Sequence, residues 1–319
     1  LRVNPNWNFN GVLGKLGYSN TNSAQVQLER RYSAGLAFQV FYTFTRSLST
    51  ADNGQATSGG GSVSDTSGNG QVPENNQLLG EPNLSFDQRL RLLYYNSTAI
   101  PPHRLTWNGI YDLPFGRGRH FAGGASKLAD AFIGGWQIAT IGTVRSGTWL
   151  SVSANDYLFG NPSLSPDRQL TLTYNGRNQR LYFAGDFDPT RATNVDLSKL
   201  EALVPANRGS RILRPLGSGF DNRLPVTLSD GTVRLTPIGD TTSWNARAFF
   251  LGPRNWNVDA SIFKNFSVTE RVKLRFTADF FNAFNHPNDV NPNGATGLVD
   301  LSQQSNEPRI IQFSLRLSF

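Results

Sequence analysis

The sequence predicts an all-β fold: an antiparallel transmembrane β-barrel portion of about seven strands, with long loops on one side. Three observations predict it. Apolar and polar residues alternate in seven separate segments, as in strands with one apolar and one polar face. The connections between those segments are short and long in turn. No run of about 18 apolar residues occurs, which excludes a transmembrane helix and leaves a closed barrel as the way to cross a bilayer.

The first two strands are expected near residues 22–32 and 36–47. There Ala24, Val26 and Leu28 alternate with glutamine and glutamate, and Leu36, Phe38, Val40, Tyr42 and Phe44 form one apolar row. A tight turn at Ser33-Ala34-Gly35 joins them. The third and fourth strands, near 103–113 and 135–149, alternate around Leu105, Trp107 and Tyr111 and around Trp136, Ile138 and Val144. The fifth, near 255–266, carries Trp256, Val258, Ala260 and Ile262; the sixth, near 271–284, carries Val272, Leu274, Phe276, Ala278 and Phe280. The seventh, near 309–319, alternates to the last residue, Phe319. Each segment is roughly 9–13 residues, the length a tilted strand needs.

The linker 114–134 is moderate and the turn at 267–270 short, whereas 48–102 and 151–253 are long and 285–308 is medium, so shorter connections alternate with longer ones. Outer-membrane barrels sort their loops this way, with short periplasmic turns and long extracellular loops. Residues 53–70, rich in glycine, serine, asparagine and threonine, are expected to be mobile. Within the longest loop, Leu170–Tyr174 and Val226–Leu228 suit hairpin strands, and Asp196–Leu203 suits a helix. A second short helix is expected at Ser126–Phe132. Aromatic residues gather near strand ends (Tyr42, Phe44, Tyr111, Trp136, Trp256, Phe266, Phe284 among them), as in the girdles at membrane–water interfaces.

Composition narrows the function. The 319 residues include no cysteine, so there is no disulfide framework and no thiolate chemistry. The net charge of +7 comes from arginines dispersed along the chain, not from the clustered basic patch that nucleic-acid binding needs. His103, His120 and His286 lack metal-ligand spacing, so neither a metal site nor a cofactor is expected. Gly116-Arg117-Gly118-Arg119 lacks the context of a phosphate loop and reads as a turn. No catalytic constellation occurs, and the chain is not expected to be an enzyme. Asp112, Asp259 and Asp279 are expected to line a lumen opposite Lys273, Arg275 and Arg316. Arg145 and Trp149, near the outer end of the fourth strand, are the candidate ligand contacts. The chain has no methionine and no basic-apolar leader, and is expected to be a piece of a longer reading frame.

The closing residues Ile311-Gln312-Phe313-Ser314-Leu315-Arg316-Leu317-Ser318-Phe319 resemble the C-terminal signal of bacterial outer-membrane barrels. That resemblance implies that Phe313, Leu315, Leu317 and Phe319 are read by the barrel-assembly machinery. Ala24–Ser47, Pro102–His120, Gly134–Gly147, Asn245–Pro287 and the closing strand resemble hairpins of Oar-like TonB-dependent transporters. The resemblance covers most strands and turns but not the long loops. It implies a bacterial outer-membrane receptor that imports a small ligand (an oligosaccharide, a peptide or a metal chelate) with energy from the TonB complex. Barrels of this transporter type have 22 strands and a plugged lumen, so the plug, the TonB-contacting box and the other strands would lie upstream. Two rival readings are an outer-membrane adhesin or translocator without TonB coupling, and a soluble extracellular carbohydrate-binding β-protein. A plug upstream separates the first from the transporter; a need for detergent separates the second.

Overall fold

A computed structural model describes residues 19–49, 95–152, 156–158, 160–215, 223–227, 231, 233–237, 250–267, 269 and 272–319. The stretch 53–70, expected to be mobile, lies outside the described residues. The main sheet begins with β1 (Ser19–Ser33) and β2 (Leu36–Ser49), followed by the two-residue β3 (Tyr95–Asn96) and by β4 (His103–Asp112). Helix α1 (Lys127–Ile133) leads into β5 (Trp136–Arg145). The loop between β5 and the next long strand carries β6 (Trp149–Leu150), β7 (Asp156–Leu158), β8 (Thr171–Tyr174), β9 (Arg177–Leu181), α2 (Leu197–Leu203), β10 (Leu213–Pro215), β11 (Arg223–Thr227), β12 (Val233–Pro237) and β13 (Phe250–Leu251). The chain then returns through β14 (Asn255–Ser267), β15 (Lys273–Phe281), the short β16 (Leu298–Asp300) and β17 (Ile310–Ser318).

The strands β1, β2, β4, β5, β14, β15 and β17 pair in that order, all antiparallel, with β3 beside β2. Among the described residues the sheet is open, with β1 and β17 as its two edges. Bare edges of this length present unpaired backbone groups that neither water nor lipid suits well. The β1–β2 turn places Ala34 and Gly35 at φ of 51° and 81°, the positive values whose twist matches a two-residue hairpin. All three long connections leave the sheet at one end, and all three short ones at the other.

Register fixes two chemically distinct faces. Val26, Tyr42, Leu105, Val144 and Trp256 form one row, and Leu36, Tyr111, Ile138, Ile262, Ala278 and Phe313 another on the same face. This apolar face is bare: Phe313 is 68% exposed, and Val26, Leu28, Leu315 and Leu317 are similarly uncovered. So large a contiguous apolar surface is a lipid- or protein-contact surface. The opposite face holds rows such as Gln39, Asn108, Ile141 and Asp259, or Ala139, Ser261, Asp279 and Gln312. At the long-loop end of the apolar face, Trp256 stacks on His286 with ring centroids 4.2 Å apart, and Tyr42 and Phe44 flank His103. Towards the other end Trp136 meets Phe276 edge to face, and Phe276 stacks near Phe313 at mid-strand.

Two strand ends differ from the sequence expectation. The fourth strand, expected to run to 149, ends at Arg145. Beyond it, a side chain on Gly147 would collide with the Gly252 carbonyl, so the two backbones pass too closely for the chain to continue flat. Trp149 falls instead in β6, paired with β13. The sixth strand, expected to reach 284, stops at Phe281 because Asn282 takes a φ of 48° and its N–H donates to Asp259 Oδ1 at 2.8 Å.

The long loops build a packed module. β8, β9 and β16 form a three-stranded sheet. Leu172, Leu181, Phe187, Leu200, Val204 and Leu298 are buried together, with Phe183, Leu213, Phe250 and Val152 forming a second core. Helix α2 starts where Asp196 accepts from the Ser198 and Lys199 N–H groups at 3.1 and 3.3 Å, an N-cap that satisfies otherwise orphaned donors. Its Leu200 inserts fully into the core. Asp186 accepts from Arg211 Nη1 at 2.6 Å and from Arg208 Nη2 at 2.7 Å, while Arg211 also donates to the Pro205 and Ala206 carbonyls.

Asp188, Asp196 and Asp300 are held below the ordinary aspartate range, chiefly by hydroxyl donation from Thr190, Ser198 and Ser302 respectively. A carboxylate with a depressed folded pKa contributes stability that is complete above its unfolded value and is lost as pH falls through the folded one. The module is therefore expected to hold at neutral pH and to loosen as the pH drops below about 3.9. Limited proteolysis across pH 6 to 2, with an acid-active protease covering the lower range, checks this; cleavage of the module that does not increase in acid contradicts it.

Candidate functional site

Where β5 and β14 meet the loop module, a cleft of about 340 Å³ opens, lined by Arg145, Ser146, Thr148, Asn255, Asp289, Val290, Asn291 and Ser305. Its floor is the end of the sheet. Its wall is the 282–309 loop, which asparagine side chains pin in place. Asn288 accepts from the Trp256 N–H at 3.0 Å and donates to the Trp256 carbonyl at 2.9 Å, so its amide substitutes for a neighbouring strand. Asn306 accepts from the Asn288 N–H at 2.7 Å, and Asn282 donates to the carbonyls of His286 and Glu307. Ser305 donates to Asn255 at 3.2 Å, tying the loop to the first residue of β14. Short amide side chains that bond to nearby backbone are the usual means of fixing an irregular loop.

One lining arginine, Arg145, sets the cleft's electrostatics. Arg145 lies directly across from Arg104 on the polar face, with Thr43 and Asn255 on either side. Like charges facing each other across a ladder are destabilising. Among the described residues neither guanidinium has an ion-pair partner, whereas Asp289, the carboxylate in the cleft, is already paired with Arg180. The cleft thus presents one cation without an ion-pair partner among the described residues, Arg145, beside hydroxyl and amide groups, with Arg104 next to it on the ladder. That arrangement is suited to a polar ligand bearing a carboxylate, phosphate or sulfate group.

Arg145 is the last residue of β5 and lines the cleft. Trp149 does not line this cleft, because the chain has turned away into β6. The lumen carboxylates also differ from expectation. Asp112 accepts from the Tyr32 hydroxyl and the Gln137 amide, both at 2.6 Å, with Arg119 at 3.6 Å as its ion partner. Asp279 accepts from Ser261 at 2.5 Å and Asp259 from Asn257 at 2.8 Å. Among the described residues none pairs with Lys273, Arg275 or Arg316. Arg275 instead lies 4.2 Å over the Phe263 ring, and faces Arg316 across the ladder. Gln137 and Ser261 stand in register beside Asp112 and Asp279, Asp259 takes its donor from Asn257 on its own strand, and Lys273, Arg275 and Arg316 are in register with none of the three.

Phe313, Leu315 and Leu317 sit on the apolar side of the edge strand β17, and Phe319 follows it, 98% exposed. Asp289, Asn291 and Ser305 were missed in the sequence. The asparagine density of Asn282–Asn293 was the available signal. No group of three or more potential metal ligands occurs among the described residues.

A family model described as "Outer membrane beta barrel domain" matches residues 1–312. No curated protein and no solved structure matches the chain.

Proposed function

Taking as premise that the chain belongs to the outer membrane beta barrel domain family and lies in the bacterial outer membrane, we propose that it is the C-terminal part of an Oar-like TonB-dependent transporter. The carrying observation is the open sheet with one bare apolar face, one polar face and two unpaired edges. Such a sheet is a sector of a wider barrel, not a closed one. The apolar face meets lipid, the polar face lines the lumen, and the end bearing the loop module faces outward. The closing strand carries the signal for the assembly machinery. The chain performs no chemistry; it shapes the passage, and the TonB complex supplies energy through regions N-terminal to it.

The reading frame upstream of Leu1 tests this. Further alternating strands, a plug and a TonB-contacting box in the same frame support the transporter. A frame that lacks the plug and the box turns the reading to an adhesin or translocator barrel.

The arginine-rimmed cleft is the ligand-facing part of this proposal, and it favours an acidic oligosaccharide, a peptide carboxylate or an anionic chelate over neutral ligands. A charge-assisted hydrogen bond contributes about 1.5–3 kcal/mol, so replacing Arg145 with glutamine is expected to weaken retention roughly 10–100-fold. Acidic and neutral glycan and peptide arrays, probed with full-length protein and its Arg145→Gln variant, check this. Equal retention by the two proteins removes the cleft from the proposal.

A further inference from the structure

The short connection between β4 and β5 holds a feature that barrel-spanning does not require. Helix α1 is a seven-residue amphipathic turn with Ser126 as its N-cap, accepting from the Ala129 N–H at 3.2 Å. Asp130 faces inward, where it accepts from the Arg117 N–H at 2.5 Å and packs against Gly116 and Gly134. Leu128 and Phe132, spaced four apart and therefore neighbours on one helical face, point the other way. They are 74% and 71% exposed. Two large apolar side chains uncovered on so short a helix are not stabilised by water.

The helix sits on the lipid side of the sheet. Trp136 belongs to the apolar face, in register with Lys264, Phe276 and Leu315, and its indole N–H donates to the Phe132 carbonyl at 2.9 Å. Lys264 comes from the same row. Among the described residues its ammonium has no hydrogen-bond partner, and it lies over the Trp136 and Phe266 rings at 5.4 and 4.9 Å. Asp130 is the acidic group facing it. Aromatic rings at the margin of an apolar band mark the level of the headgroups. Around the helix, Arg117 and Lys127 add positive charge, which suits a surface of anionic phospholipid.

We propose that α1 is an interfacial helix: it lies in the periplasmic leaflet of the outer membrane, with Leu128 and Phe132 immersed among phospholipid chains and the surrounding basic residues at the phosphates. The occupant of this surface is lipid because the helix that bears the exposed pair is tied to the barrel's own lipid-facing band at Trp136, whose indole N–H donates to the Phe132 carbonyl. The helix thereby fixes the depth of the β4–β5 edge in the bilayer.

The chain contains no cysteine, so single-cysteine variants take one label within it. Leu128→Cys, Phe132→Cys and Gly124→Cys, the last at an exposed site with open space around it, are each labelled with an environment-sensitive dye. Full-length protein is then placed in phosphatidylethanolamine–phosphatidylglycerol vesicles. Labels at 128 and 132 are expected to emit at shorter wavelength, to resist iodide, and to be quenched severalfold more by lipid-borne nitroxide than the label at 124. Iodide quenching at 128 and 132 as strong as at 124 overturns the proposal. Should Phe132→Cys fail to assemble, Leu128→Cys decides alone. Should dye at 128 lie shielded from both iodide and nitroxide, the helix is covered by protein and the proposal also fails.

Discussion

Arginine at position 313 is expected to disrupt barrel assembly, whereas arginine at 314 leaves it intact. The two residues are neighbours in β17, yet alternation puts them on opposite faces. Phe313 is in register with Ala278 on the apolar side, and its ring stacks near Phe276 at a centroid distance of 6.3 Å. Ser314 is in register with Thr277 on the polar side. A lipid-facing arginine near the bilayer midplane costs about 2–4 kcal/mol, and lumen-facing substitutions far less. Phe313 lies near the middle of a nine-residue strand, so Phe313→Arg is expected at the upper part of that range. Two readouts apply: the fraction of full-length protein that keeps its folded mobility in unheated detergent gels, and urea unfolding in lipid vesicles. Loss at 313 with retention at 314 assigns the apolar face to lipid. Equal effects at both positions would mean that the faces are misassigned or that the strand contributes little.

The same periodicity explains why the barrel strands were legible and the loop module was not. A strand facing lipid on one side and a wet lumen on the other writes its environment into every second residue, as Trp256, Val258, Ala260 and Ile262 show. Nothing comparable governs β9, whose Arg177-Asn178-Gln179-Arg180-Leu181 has a single apolar residue. It is a strand because Asn175 and Gly176, at φ of 51° and 74°, turn the chain back onto β8. That Asn-Gly pair was a readable hairpin signal. The third strand of the sheet, β16, lies more than a hundred residues away, and no local pattern points to it.

The cleft divides along the same line. Arg145 was legible because it ends an alternating strand on its polar side. Asp289 and Ser305 belong to a loop whose path depends on Asn288 meeting Trp256, a contact that neither residue signals alone. Trp149 illustrates the converse. The strand was expected to run on to Trp149 although its alternation ends at Arg145, and the close approach of Gly147 to Gly252 marks where it stops. Backbone proximity between segments a hundred residues apart is not written in the local pattern.

Asp186→Ala is expected to unfold the loop module while the membrane strands stay assembled. The Asp186 and Arg211 side chains are both almost fully buried, and Asp186 bridges Arg211 to the more exposed Arg208. Removing one partner of a buried ion pair leaves the other charged and unpaired, at a cost of about 3–5 kcal/mol. Arg211 would keep its bonds to the Pro205 and Ala206 carbonyls, which offset part of the charge but do not neutralise it. Arg208→Ala, at an exposed position, is expected to cost much less. The module's own core, centred on Leu172, Leu181 and Leu200, is separate from the sheet. Loss should therefore appear as protease cleavage within 160–215 in intact cells, with folded gel mobility unchanged. Protection of the module in Asp186→Ala equal to that of the parent protein would show that the two cores hold it without the ion pairs. Loss of folded mobility would show instead that module and barrel fold as one unit. Since Arg145 and Asp289 lie where module and sheet meet, the first result would leave the cleft intact without this triad, and the second would make ligand binding inseparable from barrel assembly.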